Sequence, residues 1–268
     1  MLVHDNWDVV IALNPHMSTL APEGNEGART YTSVLMSRMQ PTVGPSAVLF
    51  DMDGTLVDSE HLWLASEIEV MDQLGSDWDP QDQAHCLGGP LERVAHYMKE
   101  RSGTWRSAQD VGHMLLTTVE QHMRNEPLRW RPGAVALLRE CIEAEVPRAL
   151  VTASWGVLVE ALADRMNAEI GAVPFTTVVA GDDVQNSKPH PEPYQRAAAA
   201  VGMPAHECLA VEDSPTGVAS AIAAGCCVIA VPQIAPVDHI VAGLPHVAVV
   251  DSLAEHNLSS LWHLVGQH

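Results

Sequence analysis

From residue 46 onward, short apolar runs alternate with stretches whose apolar residues recur every three or four positions. Runs of the first kind predict buried strands, and the recurring spacing predicts amphipathic helices. The candidate strands are Ala47–Phe50, Arg148–Thr152, Thr176–Ala180, Cys208–Val211, Val228–Val231 and Val247–Val250. Helical spacing occupies residues 133–145, 156–166, 191–201 and 215–224 between them. Such alternation predicts an α/β fold, a doubly wound parallel sheet with helices on both faces. Functional groups should then gather at the carboxyl ends of the strands.

Two stretches depart from this rhythm. Between Asp58 and Arg131 lie roughly seventy residues of helical spacing with no good strand, far more than a βα connection needs. "SEHLWLASEIEVMDQLG" and "PLERVAHYMKERSG" carry the pattern, and Gly75 suits a helix C-terminus. This predicts a helical domain over residues 58–130, inserted into a core formed by residues 45–57 and 131–268. Residues 1–44 are rich in turn formers and lack a sustained period, so a flexible extension is expected there. A true start at Met36 or Met39 is the alternative.

Net charge is −20 over 268 residues, with only two lysines, Lys99 and Lys188. That balance argues against nucleic acid or an anionic membrane as partner, since both need clustered basic residues. No apolar run reaches the length of a membrane span. No basic segment precedes "VVIAL" near the N-terminus, so no signal peptide is expected. A cytoplasmic monomer is the expectation. The five cysteines form no CxxC pair and no Cys/His metal spacing, and Cys208 and Cys226 read as reduced core residues. The fourteen histidines show no HExxH pattern, and surface positions are expected for most. Trp63, Trp105, Trp130 and Trp155 are assigned to core or cap packing ahead of a substrate pocket.

The chemistry emerges at the strand ends. The first strand runs into Asp51-Met52-Asp53-Gly54-Thr55, and residues two apart in an extended segment share a face. The second ends in Thr152, with Ala153 and Ser154 next. Lys188 follows the third, and the fourth ends in Glu212 and Asp213. Parallel neighbours would bring several carboxylates and one ammonium to one sheet edge. Carboxylates gathered without compensating charge are unfavourable. A hard divalent cation resolves this, because Mg²⁺ takes oxygen ligands and shares its shell with water and phosphate.

"DMDGTLVDSE", "LVTAS", "SKPHPEPY" and "VEDSPTGVASAIAAGC" resemble, in order, the four motifs of the haloacid dehalogenase-like (HAD) superfamily. The inserted helices resemble the cap of its beta-phosphoglucomutase-like and sugar-phosphate phosphatase subgroup. The likeness covers about residues 46–250. It implies a Rossmann-like core, an Mg²⁺ cofactor and a small-molecule phosphate monoester as substrate. Asp51 is then the nucleophile that becomes phosphorylated, and Asp53 the general acid and base. Asp51, Asp53 through its carbonyl, Asp213 and Glu212 are the expected metal set, with Glu212 either a direct ligand or one step behind. Lys188 keeps Asp51 ionised. Thr152 offers a hydroxyl to the phosphoryl group, or Ser154 does so instead. Gly54 and Thr55 are expected to turn backbone N–H groups toward the phosphate.

Asp53 sets the chain apart from the dehalogenases, which lack an aspartate there. A phosphatase is favoured over a sugar phosphomutase. The mutase-type cap histidine aligns with Trp63, and in "AHCLGGPLERVA" Leu87 precedes the glycine expected at Gly88, with Arg93 a turn further on. Hinges for a moving cap are expected near Val57–Ser59 and Arg129–Gly133.

Overall fold

The computed structural model describes residues 44–86, 90–233 and 235–266. Apart from Gly44, the expected N-terminal extension and its alternative starts lie outside the described residues, as do Leu87 and Gly88 of the cap loop. Six strands form one parallel sheet: β1 (Ala47–Phe50), β2 (Arg148–Val151), β3 (Thr177–Val179), β4 (Cys208–Glu212), β5 (Cys227–Ala230) and β6 (Val247–Val249). Their order across the sheet is β3-β2-β1-β4-β5-β6, with every pairing parallel. The winding direction therefore reverses between β1 and β4. In open α/β sheets the crevice at such a reversal is where ligands sit.

β1, β2, β4 and β5 are buried along their whole length, and apolar but for Arg148 and Glu212, because both faces are covered. Phe50, Leu150, Leu209 and Ile229 pack on one side with α5 (Ala134–Glu143), α6 (Gly156–Ile170) and α10 (Leu258–Val265). Leu49, Val151, Ala210 and Val228 point to the other side and pack with α7 (Glu192–Ala200) and α8 (Pro215–Ala224). A short α9 (Asp238–Val241) precedes β6. Only β1 keeps both expected boundaries: β3 and β6 are shorter than expected, and β5 is shifted one residue toward the N-terminus. β2 stops at Val151, and β4 runs on to Glu212, which pairs with Ala230. Glu212 is thus a fully buried strand residue, while Asp213 lies just past the strand end.

Between β1 and α5 lie α1 (Glu60–Gln73), α2 (Pro80–Cys86), α3 (Leu91–Ser102) and α4 (Ala108–Asn125). α4 begins with a capping box in which Ser107 and Asp110 satisfy each other's backbone N–H. It packs against α1, α3 and α6, and Met71, Met98, Leu115 and Met123 join the apolar cluster on that side of the sheet. Entry to and exit from these helices run side by side. Val57 bridges antiparallel to Trp130, the Asp58 N–H donates to the Arg129 carbonyl at 2.8 Å, and the Arg131 N–H donates to Leu56 at 2.8 Å.

Candidate active site

β1 lies between β2 and β4, so the residue leaving it faces both neighbouring strand ends. The Asp51 N–H continues the ladder by donating to the Val211 carbonyl at 3.0 Å, which fixes its buried carboxyl at the reversal. Lys188 arrives from the loop after β3. Its ammonium donates to Asp51 Oδ1 at 2.7 Å, to Glu212 Oε1 at 2.6 Å and to the Val151 carbonyl at 2.8 Å. These three acceptors place it directly below the site, over the Tyr194 ring at 5.2 Å.

Glu212 is saturated. Oε1 accepts from Lys188 and from the Tyr194 hydroxyl at 2.9 Å, and Oε2 accepts from the Asp213 N–H at 3.1 Å and from both the N–H and hydroxyl of Ser214. Gly217 on the first turn of α8 is needed here, since any Cβ would strike the Glu212 carboxylate. The predicted cap of that helix is present: Ser214 accepts from the Gly217 N–H at 3.0 Å and Pro215 opens the helix. Asp213 is far less supplied, accepting one 3.3 Å bond from the Thr55 hydroxyl.

Asp51, Glu212 and Asp213 each bring a carboxylate oxygen within 4.8 Å of the others. Burial pushes the Asp51 carboxyl up, Lys188 pulls it back and Glu212 pushes it up again, leaving it at about 7. Burial, then Asp51 and Glu212, push Asp213 up to about 9. Burial alone would lower the Lys188 ammonium, but Asp51 and Glu212 outweigh it and raise it. Asp51 and Asp213, crowded with Glu212 around one ammonium, therefore hold protons near neutral pH unless another cation takes their place. An all-oxygen, buried, charge-deficient set of this kind fits a hard divalent ion. Asp51 and Asp213 could hold it directly, while Glu212, fully engaged, orients Lys188 and the β4–α8 turn.

Asp53 faces the opposite wall. Its Oδ1 accepts from the Ser59 hydroxyl at 2.5 Å, and its Oδ2 accepts from the Ser154 hydroxyl at 2.7 Å and from Thr152 at 3.4 Å. The Thr152 hydroxyl also accepts the Ser154 N–H at 3.0 Å, folding the "TAS" turn around Asp53. Of the two hydroxyls expected here, Ser154 makes the shorter bond. Ala153 between them is exposed. Gly54 takes a positive φ of 82°, and a Cβ there would strike Asp213. Its N–H, expected to face a phosphate, instead donates to the Val57 carbonyl at 2.8 Å, because the turn closes on itself. Thr55 acts through its hydroxyl on Asp213.

All ten sequence-predicted residues lie along this strand-end crevice. Two contributors were not foreseen as site residues. Ser59 was assigned to a hinge, yet its hydroxyl lands on Asp53. Tyr194 was only the last letter of "SKPHPEPY", although one helical turn into α7 it points down onto Glu212. Of the tryptophans, Trp63 and Trp130 pack against the core as expected, whereas Trp105 is 89% exposed.

A family model described as haloacid dehalogenase-like hydrolase matches residues 48–231. The chain is 33% identical over 190 residues to the probable pseudouridine-5'-phosphatase of Drosophila melanogaster, covering 69% of this chain and 80% of that one. It is 31% identical over 216 residues to hexitol phosphatase A of Escherichia coli (strain K12), covering 75% and 92%. Among solved structures, CbbY from Rhodobacter sphaeroides in complex with phosphate superposes with a TM-score of 0.69 at 28% identity, covering 81% and 99%. A beta-phosphoglucomutase from Clostridium difficile gives a TM-score of 0.64 at 17% identity over 82% and 96%, a likeness of fold.

Proposed function

The chain belongs to the haloacid dehalogenase-like hydrolase family, and from that we propose that it is an Mg²⁺-dependent phosphatase acting on a small phosphate monoester, a sugar phosphate or similar. The observation that carries this reading is the asymmetry of the first two acids. Asp51 is gripped on one oxygen by Lys188, and its other oxygen accepts no hydrogen bond from the described residues. Asp53, two residues on, is steered by Ser59 and Ser154.

In this reading the unbonded Asp51 oxygen attacks phosphorus. The ester P–O bond breaks, and the departing oxygen takes its proton from Asp53. Asp53 then takes a proton from the water that attacks the aspartyl-phosphate, and the Asp51–phosphorus bond breaks to release inorganic phosphate. Lys188 disperses charge on Asp51 throughout. Thr152 and Ser154 are close enough to Asp53 to share their hydroxyls with a phosphoryl oxygen. Magnesium, held by Asp51, Asp213 and the Asp53 carbonyl, would supply the positive charge that the four titratable groups lack. The inserted helices, residues 58–130, serve as a cap hinged at the paired crossings near Val57–Ser59 and Arg129–Gly133. The protein is taken to be a cytoplasmic monomer; no described helix is long and apolar enough to cross a membrane.

Phosphomutase chemistry is the alternative, and Arg93 weighs against it. That guanidinium donates to the His85 carbonyl at 2.7 Å and the Cys86 carbonyl at 3.4 Å, so it closes α2 and leaves little for a second phosphate. The test is phosphate release from p-nitrophenyl phosphate. Chelation should abolish it and added Mg²⁺ restore it. Full turnover in chelator would contradict the metal role, and isomerisation dependent on a sugar bisphosphate would favour the mutase.

A further inference from the structure

The turn that carries Thr152 and Ser154 leaves β2 and runs straight into α6, and the neighbouring strand end holds it in place. β3 pairs with β2 in parallel, Val179 opposite Val151, so the chain leaves the two strands side by side. The Thr152 N–H donates to the Val179 carbonyl at 3.0 Å, and the Gly181 N–H donates to the Ser154 carbonyl at 2.9 Å. A side chain at Gly181 would strike the Ala153 carbonyl, so the two turns lie in contact.

The start of α6 completes this clasp. The first N–H groups of a helix need partners from outside it, and the residue before the helix normally lends a side-chain oxygen. Here that residue is Trp155, whose indole has no acceptor and makes no such bond. Asp182, from the turn after β3, supplies the oxygen: its Oδ1 accepts from the Gly156 N–H at 2.8 Å. A carboxylate also suits the positive end of a 15-residue helix. Gly156 is two residues from Ser154, whose hydroxyl donates to Asp53 Oδ2 at 2.7 Å, while Ser59 holds Oδ1.

We infer that Asp182 is a positioning residue for Asp53: by capping α6 from the next strand end, it aims the Ser154 hydroxyl at the Asp53 carboxylate. This rests on the phosphatase reading, in which Asp53 protonates the departing oxygen. Loss of the clasp lets the Ser154 turn shift and leaves Asp53 steered from one side only. The effect should then fall on the proton transfer and spare the rest of the reaction.

The experiment compares phenyl phosphate with p-nitrophenyl phosphate through kcat/KM, which covers only the steps up to departure of the leaving group. Phenol ionises at about 10, as tyrosine does, so its departing oxygen needs a proton; p-nitrophenolate, a far weaker base, needs it less. Asp182→Ala should lower kcat/KM about three- to tenfold for phenyl phosphate and less than about twofold for p-nitrophenyl phosphate. Asp182→Asn, which keeps the acceptor oxygen, should return the phenyl ester to within about twofold of wild type. In a Ser154→Ala background, Asp182→Ala should add less than about twofold, because its effect passes through Ser154. Circular dichroism checks the fold; should the alanine variant fail to fold, Asp182→Glu, whose extra methylene displaces the acceptor, takes its place. Equal losses on the two esters, no loss, no rescue by asparagine, or losses that multiply in the double variant would overturn the assignment. So would a wild type active on p-nitrophenyl phosphate alone. Each of these leaves the phosphatase reading standing, whereas turnover of neither ester by the wild type overturns both.

Discussion

Buried carboxyls occur both in the inserted helices and at the strand ends, and they are treated in opposite ways. Asp82 in α2 has a side chain only 4% exposed. It accepts from the Asp79 N–H at 3.0 Å, the Tyr97 hydroxyl at 2.7 Å and Arg101 Nε at 3.1 Å. Burial works to raise it, but these three partners outweigh burial and hold it below the usual carboxylate range. Asp213 is buried to a similar degree, yet has one long bond from Thr55 and is pushed up to about 9. Glu67 lies between the extremes, with one bond from Trp78 Nε1 at 3.1 Å and a carboxyl at about 7. A satisfied buried acid stabilises the scaffold. A buried acid short of partners is held by the surrounding fold for something that arrives later.

The sharpest challenge to this contrast is a pair of isosteric changes. Asp51→Asn should lower turnover by at least about 10⁴-fold while the circular dichroism spectrum is unchanged, since the proposed nucleophile is lost. Near-native rates would place the nucleophile elsewhere. Asp82→Asn should do the reverse, lowering stability by about 1.5–3 kcal/mol in denaturant unfolding with kcat within a few-fold, since it disrupts hydrogen bonds to a charged group. A catalytic defect without loss of stability would erase the distinction between the two regions.

Glu67 gives a pH test with a definite sign. Its carboxyl titrates near 4.5 when free and near 7 when folded. Between those values the folded chain retains a proton that the unfolded chain has released, so stability falls as pH rises through this window and does not recover above it. Glu67→Gln removes the titration. The variant should therefore exceed the wild type by about 1–2 kcal/mol at pH 8.5, with the advantage shrinking toward pH 5; thermal unfolding at both pH values reads it. The smallest effect is expected from Ser154→Ala, about a three- to tenfold fall in kcat/KM, because Ser59 still holds Asp53. A thousandfold fall would mean that Asp53 is held by Ser154 and not by Ser59.

Most of the sheet was legible because parallel strands covered on both faces must be continuously apolar. Ala47–Phe50 was read to the residue. Strand ends proved harder. Glu212 looks like a post-strand charge, but its hydrogen bonds to Lys188, Tyr194 and Ser214 let it remain in the ladder at 0% exposure, which no local pattern can announce. The acidic residues themselves could be picked out because clustered charges at apolar strand ends have few alternative uses. Their partners could not. Ser59 and Tyr194 are ordinary polar residues whose importance depends on where distant strands place them. Gly54 shows the converse error. Glycine was correctly read as a turn, but the turn consumes its own N–H.

The side-by-side crossings at Val57 and Trp130 carry one more consequence. Because the two ends of the helical insert are already joined by backbone hydrogen bonds, the sheet meets it as a closed loop whose entropy rises only with the logarithm of its length. Lengthening, shortening or exchanging that segment need not disturb the register of a single strand. The strand-end site and the inserted helices can therefore diverge at separate rates within one chain.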